Sequence, residues 1–100
     1  MTKYSSESID RLFQSILRLQ SVEDCYRFFD DLCTVKEVQD MAQRLDTAVL
    51  LDRGENYQTI AKTVGISTAT ISRVNKCLVY GSGGYRDAID RINASEEQAQ

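Results

Sequence analysis

The 100-residue chain contains no proline, and its apolar residues recur at intervals of three and four positions. Proline breaks helices, so its absence permits long ones. No segment alternates apolar and polar residues with the period of a strand, whereas i, i+3, i+4 and i+7 spacing marks one face of a helix. The first such face consists of Ile9, Leu12, Phe13, Ile16, Leu17 and Leu19. The sequence therefore predicts an all-α protein.

Capping residues divide the chain into six predicted helices. Ser21 and Thr34 each precede an acidic residue by three positions, a pattern that satisfies the first free N–H groups of a helix. Gly54 can end the third helix in the left-handed conformation. After two shorter helices, the glycine-rich stretch YGSGGY leads into a last helix, about residues 85 to 92. The predicted organisation is a single domain over residues 1–93 and a polar, disordered tail over 94–100.

Residues 57 to 78 match the helix-turn-helix motif, in which two helices cross at a steep angle. With Tyr57 as position 1, position 5 must be small and position 9 must tolerate positive φ; these residues are Ala61 and Gly65. Apolar residues are needed at positions 4, 8, 10, 15 and 18, which are Ile60, Val64, Ile66, Ile71 and Val74. The match predicts a helix over about 58 to 64 and a second that starts after Ser67 and reaches about 79.

The second of these helices, named the reading helix, carries side chains that suit a DNA groove. At 100° per residue, Ile71, Val74 and Leu78 lie on one face, opposite small and basic residues. The N-terminal residues of such a helix meet base edges, where alanine contacts thymine methyl groups and arginine or lysine binds guanine. The alternative is an ordinary solvated helix face. The predicted DNA-binding residues are Lys62, Ser67, Thr68, Ala69, Thr70, Ser72, Arg73 and Lys76.

The distribution of charge explains how an acidic chain could bind DNA. The net charge is −3, yet residues 56 to 86, named the acid-free segment, hold four basic residues and no acidic ones. The other 69 residues hold 8 basic and 15 acidic groups. Salt screens charges beyond about 10 Å, so a phosphate responds to the local field. The basic residues of the segment are Lys62, Arg73, Lys76 and Arg86.

The composition argues against an enzyme or a metal site. The chain has no histidine and three cysteines without Cys-x-x-Cys spacing. Five aspartates could supply carboxylates, but none has a convincing partner pattern, and they fit the solvated faces of helices. They are Asp30, Asp31, Asp40, Asp46 and Asp52. We expect no cofactor, no metal and no membrane segment, and a cytoplasmic location, because no apolar run is long enough to span a bilayer or serve as a signal peptide.

The sequence from residue 32 to 78, with LCT, RGE and ATISR in that order, resembles the Trp repressor family of bacterial helix-turn-helix proteins. Within that family it is most similar to the Trp-repressor-related YerC/YecD-type proteins of Gram-positive bacteria. The resemblance covers about residues 5 to 93 and implies a six-helix fold with an interlocked homodimer. The interval between Gly54 and Gly65 is one residue shorter than in the Trp repressor itself.

The resemblance also implies a candidate ligand pocket. In the Trp repressor, tryptophan lies between the dimer core and the helix-turn-helix. Val74 stands where that protein has glycine, so its side chain would occupy the space of the indole ring. Cys77 replaces a serine, and a thiol is a poorer hydrogen-bonding partner. The pocket positions are Thr34, Arg44, Thr70, Arg73, Val74 and Cys77. We therefore expect no response to tryptophan, while another small molecule in a remodelled pocket remains open.

Together these features predict a homodimeric DNA-binding regulator of transcription, with repression as its expected action on double-stranded DNA. A small domain cannot by itself bury wide apolar faces, such as those with Phe13, Phe28 and Phe29. A monomeric bundle around the long third helix is the alternative to the dimer. A helix-turn-helix that contacts polymerase or another regulator is the alternative to DNA binding. The sequence gives neither the operator nor the regulated genes.

Overall fold

The structure is a computed structural model that describes residues 5 to 99, whose regular elements are all helical. A short π-helical turn, Ala61–Gly65, continues the fourth helix, so the six predicted helices are present and the all-α fold is confirmed. Residues 5 to 99 contain no strand. The helices are α1 (Glu7–Leu17), α2 (Val22–Leu32), α3 (Val35–Asp52), α4 (Tyr57–Ile60), α5 (Thr68–Tyr80) and α6 (Gly84–Ala99). Each helix between residues 5 and 99 is too short or too polar to span a bilayer.

The chain divides into two compact units, Met1–Val38 and Gln39–Gln100, and α3 extends across the division. We name them the N-terminal unit and the helix-turn-helix unit and describe each by itself. The prediction of one domain over residues 1–93 remains a prediction.

Side-chain caps start the helices of the N-terminal unit where the sequence predicts. The Ser21 hydroxyl accepts a hydrogen bond from the Asp24 N–H at 3.0 Å. The Thr34 N–H donates to the Glu37 carboxylate at 2.8 Å, and the Glu37 N–H donates to the Thr34 hydroxyl at 3.1 Å. This reciprocal pair is the capping box, and it fixes the first turn of α3.

The apolar faces of α1 and α2 remain open in a single chain. Neither helix, as described, contains a buried residue. Leu17, Val22 and Tyr26 are 82, 73 and 68 % exposed. Phe28 and Phe29 are half-buried and form an edge-to-face pair with ring centroids 5.6 Å apart. Two well-formed amphipathic helices thus present apolar surface that the chain itself does not cover.

The helix-turn-helix unit has its own core. Ala48 of α3, Val74 of α5 and Ile89 of α6 are buried together, and Leu78 and Tyr85 pack against them. Thr47 is fully buried as well, but its hydroxyl donates to the Gln43 carbonyl at 2.8 Å, so no hydrogen bond is lost. Three helices therefore hold one another without help from another molecule.

The predicted end of α3 agrees with the structure, whereas the predicted end of α6 does not. Gly54 follows α3 with φ +86°, as its predicted role in ending that helix requires. The last helix was expected to end near Ile92, whereas α6 continues to Ala99. Its polar residues fit an exposed helix as well as a tail, so composition alone could not separate the two. The disordered tail over residues 94–100 remains a prediction, and residue 100 lies outside the described residues.

Candidate nucleic-acid interface

The seven constrained positions of the helix-turn-helix behave as the motif requires. Ile60, Ile71 and Val74 are at most 2 % exposed. Gly65 has φ +83°, a conformation that residues with a side chain rarely adopt. The remaining three positions, Ala61, Val64 and Ile66, are half-buried. Burial of these residues fixes α5 against the helix that precedes it.

The first helix of the motif differs from the prediction in its winding. It is α-helical only over Tyr57–Ile60 and continues as a π-helical turn over Ala61–Gly65. The Asn56 side chain caps it by accepting from the Thr59 N–H at 2.8 Å. Lys62 lies on the π turn and is exposed. The wider turn changes the direction in which Lys62 leaves the helix compared with an α-helix.

The reading helix is α5, and its N-terminus is ordered by two hydroxyl groups. The Ser67 hydroxyl accepts from the Thr70 N–H at 3.2 Å, and the hydroxyl oxygens of Ser67 and Thr70 lie 3.0 Å apart in a second hydrogen bond. Both side chains are thus engaged in capping in the free protein. Ser67 thus caps the helix that the sequence predicts to start after it, whereas the structural role of Thr70 was not predicted.

The other predicted contacts on α5 share one exposed face. Ile71 and Val74 point into the core from the opposite side of the helix. A ligand approaching that face would meet a small residue and hydroxyls in the first turn and two cations beyond it. The exposed residues are Thr68, Ala69, Ser72, Arg73 and Lys76.

The four cations of the acid-free segment differ in whether they form ion pairs with the described residues. Lys62, Arg73 and Lys76 are exposed and form no ion pair with any residue between 5 and 99. Arg86 instead donates to the Asp52 carboxylate at 2.6 Å and lies 3.8 Å from Asp90. Among these four cations, Arg86 thus differs in having carboxylate partners within the described residues.

The candidate ligand residues are described each within its own unit, and the pocket itself remains a prediction. Val74 is 2 % exposed, so its side chain belongs to the core and leaves no cavity at that position. Thr34 caps α3 in the N-terminal unit. Arg44, Thr70, Arg73 and Cys77 belong to the other unit. A groove of about 320 Å³ in that unit is lined by none of the candidates but by Gln43, Asp46, Val49, Leu50, Arg53, Thr63 and Val64.

Tyr85 packs against the core of the helix-turn-helix unit, a position that sequence reasoning missed. It packs against the Ala48, Val74 and Ile89 cluster. Burial raises the pKa of its hydroxyl above the usual value, while the positive charge of Arg44 opposes the rise and Cys77 adds to it. No motif marks Tyr85, because it lies beyond the helix-turn-helix at the start of α6.

Acidic and cysteine side chains are not gathered for metal binding. Among residues 5 to 99, no group of three or more histidine, cysteine, aspartate or glutamate residues could hold a metal ion. Cys25, Cys33 and Cys77 are free thiols.

The fold and the exposed face of α5 define a helix-turn-helix protein. The sequence profile described as Trp repressor protein matches residues 7–93, and the chain belongs to this family of regulators. It is 50 % identical over 97 residues to a Bacillus subtilis (strain 168) protein, the uncharacterized protein YerC; the match covers 97 % of this chain and 93 % of that one.

Two solved structures have the same fold. A TrpR-like protein from Eubacterium eligens ATCC 27750 superposes with a TM-score of 0.87 at 40 % identity, over 89 % of this chain and 92 % of its own. A Staphylococcus aureus protein described as a candidate Trp repressor superposes with a TM-score of 0.86 at 47 % identity, over 89 % of each chain. The resemblance drawn from the sequence is confirmed.

Proposed function

We propose that the protein is a sequence-specific DNA-binding regulator of transcription, and more narrowly a repressor, acting in the bacterial cytoplasm. The observation that carries the proposal is the exposed face of α5. Its small and basic residues are open to solvent, while Ile71 and Val74 anchor its other side in the core. A helix held in this way can enter a major groove without first rearranging.

The proposal gives different tasks to different side chains. Thr68 and Ala69 are in the first turn of α5, where helix-turn-helix proteins meet base edges. Arg73 lies about one turn further along and suits a guanine edge or a phosphate. Lys76, further along the same face, and the exposed Lys62 of the preceding turn suit phosphates, which fix the position of the protein on the duplex. Ser67 and Thr70 contribute by capping the helix that carries the others.

The same proposal includes a homodimer. The apolar faces of α1 and α2 are uncovered in one chain, and a second copy is a partner with an equal need to cover them. A two-fold dimer presents two reading helices to half-sites about 34 Å apart. Sedimentation at micromolar concentration should then give roughly twice the chain mass of 11.3 kDa.

We further propose that DNA binding does not depend on tryptophan. Val74 fills its own position in the core, and this supports a reading helix that is held by protein contacts rather than by a ligand. A different small molecule bound elsewhere remains compatible with this proposal.

The experiment that tests DNA binding compares Arg73→Ala and Lys76→Ala with Arg91→Ala. Arg91 is an exposed cation of α6, outside the acid-free segment, and forms no ion pair with the described residues. An operator would first be selected from genomic fragments by gel shift at low and moderate salt. Arg73→Ala and Lys76→Ala should weaken binding, and Arg91→Ala should not. Circular dichroism and dimer mass should be unchanged in all three.

The way in which DNA affinity falls in each variant identifies the kind of contact that the side chain makes. Loss of a bidentate base contact should lower discrimination at one base pair by about 1–3 kcal/mol. Loss of a phosphate contact should weaken binding to all sequences and reduce the salt slope by about one. Unchanged affinity in the Arg73→Ala/Lys76→Ala double variant would remove the assignment. A wild-type protein without DNA affinity at low salt would favour the alternative, a helix-turn-helix that contacts a protein.

A further inference from the structure

An ion pair connects the start of α6 to the end of α3. The Nη2 atom of Arg86 lies 2.6 Å from the Oδ1 atom of Asp52, and 34 residues separate the two along the chain. Asp52 is the last residue of α3, and Arg86 is the third residue of α6. Both residues belong to the helix-turn-helix unit. The bond therefore joins two helices that are distant in sequence.

The position of this pair matters because of the segment that precedes α6. The reading helix α5 ends at Tyr80, and residues 81 to 83 connect it to α6. Gly83 has φ +93°, so the connection turns sharply. With so short a connection, the orientation of the first turn of α6 constrains the C-terminal end of α5.

The first turn of α6 is held on two sides. Tyr85 packs against the core cluster that includes Val74 of α5. The next residue, Arg86, binds Asp52, and its Nε atom also lies 3.8 Å from Asp90 one turn along. These carboxylates leave Arg86 poorly placed to serve a phosphate, although it is one of the four cations of the acid-free segment.

We infer that the Asp52–Arg86 ion pair is a positioning contact for DNA binding, which holds the reading helix at its angle to α3 without touching DNA. The inference rests on the proposed function. It assigns Arg86 a role different from that of Arg73 and Lys76, although all three are exposed cations of the same segment.

The inference predicts that Asp52→Asn changes DNA affinity in the direction opposite to that expected from the loss of a negative charge alone. Asp52→Asn removes a negative charge, and long-range electrostatics would make DNA binding tighter. If the pair positions α5, Asp52→Asn should instead weaken operator binding by about two- to fivefold, a range that fits the modest contribution of an exposed ion pair. The matched control is Glu55→Gln, because Glu55 is an exposed acid three residues away that forms no ion pair with residues 5 to 99. Its affinity should be unchanged or slightly higher.

The salt dependence separates positioning from phosphate contact. Arg86→Gln should weaken binding about as much as Asp52→Asn, with the salt slope of the wild type. A slope lower by about one would mean that Arg86 reaches a phosphate, and would overturn the inference. Arg86→Lys, which keeps a cation opposite Asp52, should recover part of the affinity.

Amide hydrogen exchange of the free protein tests the contact even if the proposed function fails. Two probes flank the connection: the Gly81 N–H, bonded to the Cys77 carbonyl at 2.8 Å, and the Asp87 N–H, bonded to the Gly83 carbonyl at 3.0 Å. Both should exchange about two- to fivefold faster in Asp52→Asn and at the wild-type rate in Glu55→Gln. Wild-type exchange and wild-type DNA affinity in Asp52→Asn would sink the inference. Absence of DNA binding in every variant, with faster exchange in Asp52→Asn, would sink only the proposed function.

Discussion

The N-terminal unit and the helix-turn-helix unit form helices equally well, but only the second buries its apolar residues within one chain. α1 begins with a capping bond from the Ile9 N–H to the Ser6 hydroxyl at 3.1 Å, and α2 has its equivalent at Ser21. The local signals that start a helix are therefore present in both units. The difference is that α1 and α2 contain no buried residue, whereas α3, α5 and α6 meet at Ala48, Val74 and Ile89.

This difference lets one short chain combine a reading helix that is held by its own core with an apolar surface that is open to a partner. The helix-turn-helix needs a fixed angle, and a core internal to its unit provides it. The N-terminal helices keep their apolar side chains for another surface, which we propose to be the same surface of a second copy. The predictions below test this division of roles, beginning with the largest effect.

The largest effect should follow from a change in the N-terminal unit. Phe29→Ala should lower the free energy of unfolding of the dimer by about 3–5 kcal/mol if the ring becomes fully buried there, because a large cavity remains. Phe28, its edge-to-face partner, should behave similarly. Denaturation at several protein concentrations, together with sedimentation, should show that stability and dimer mass fall together.

Leu17→Ala is the matched control, because Leu17 is 82 % exposed in a single chain. In a monomer this change should alter stability by no more than about 0.5 kcal/mol, as expected for a surface site. In a dimer that uses this face it should cost about 2 kcal/mol or more. A folded monomer whose stability does not change in Leu17→Ala would contradict the proposed difference between the two units.

A smaller effect should come from the turn of the helix-turn-helix. Gly65→Ala should lower stability by about 1–2 kcal/mol, because φ is +83° and L-residues are strained there. An added Cβ would meet no atom within 4 Å, so the cost is that of the backbone alone. Thermal unfolding should show the loss, while the dimer mass stays unchanged, because the turn belongs to the self-contained unit.

Gly84→Ala supplies the control for that experiment. Gly84 also has open space around a built Cβ, but its φ is not positive. Since alanine restricts the unfolded chain and favours helix, the change should be neutral or should stabilise by about 0.4–1 kcal/mol. An equal loss of stability in both variants would mean that the positive φ of Gly65 is not the cause of the loss.

The sequence predicted those features that depend on neighbouring residues. The capping box of Thr34 and Glu37, the positive φ of Gly54 and Gly65, and the buried side of α5 were all read from spacing, and the structure has them. Each is fixed by residues within about one or two helical turns. Local physical chemistry is sufficient in such cases.

The sequence did not predict features that depend on contacts between distant residues or on small differences in helical winding. Five residues are too few for periodicity to separate a π turn from an α turn, so residues 61 to 64 were expected to be part of an α-helix that Gly65 ends. No local signal pairs Asp52 with Arg86 across 34 residues. The packing of Tyr85 against Ala48, Val74 and Ile89 depends on how α6 lies against the other helices of its unit, which the helix-turn-helix pattern does not describe.

The smallest expected effect is that of tryptophan, which should be zero. A co-repressor would add a ligand to the support of the reading helix, but Val74 at 2 % exposure already packs that helix onto Ala48 and Ile89. Tyr85 packs against the same cluster, and the charges of Arg44 and Cys77, two residues that the family resemblance assigns to the ligand, affect the pKa of its hydroxyl in opposite directions. These core contacts support our proposal that α5 is held by side chains of its own unit rather than by a ligand.

Isothermal titration with L-tryptophan at millimolar concentration should show no binding heat, and operator affinity should be the same with and without it. Val74→Gly provides the informative comparison, since it removes the side chain that fills the site. This variant should lose stability, because a buried valine is lost and glycine disfavours helix. A wild-type dissociation constant in the micromolar range, with tighter operator binding on addition of tryptophan, would show that the core of the helix-turn-helix unit is not sufficient to set the angle of α5.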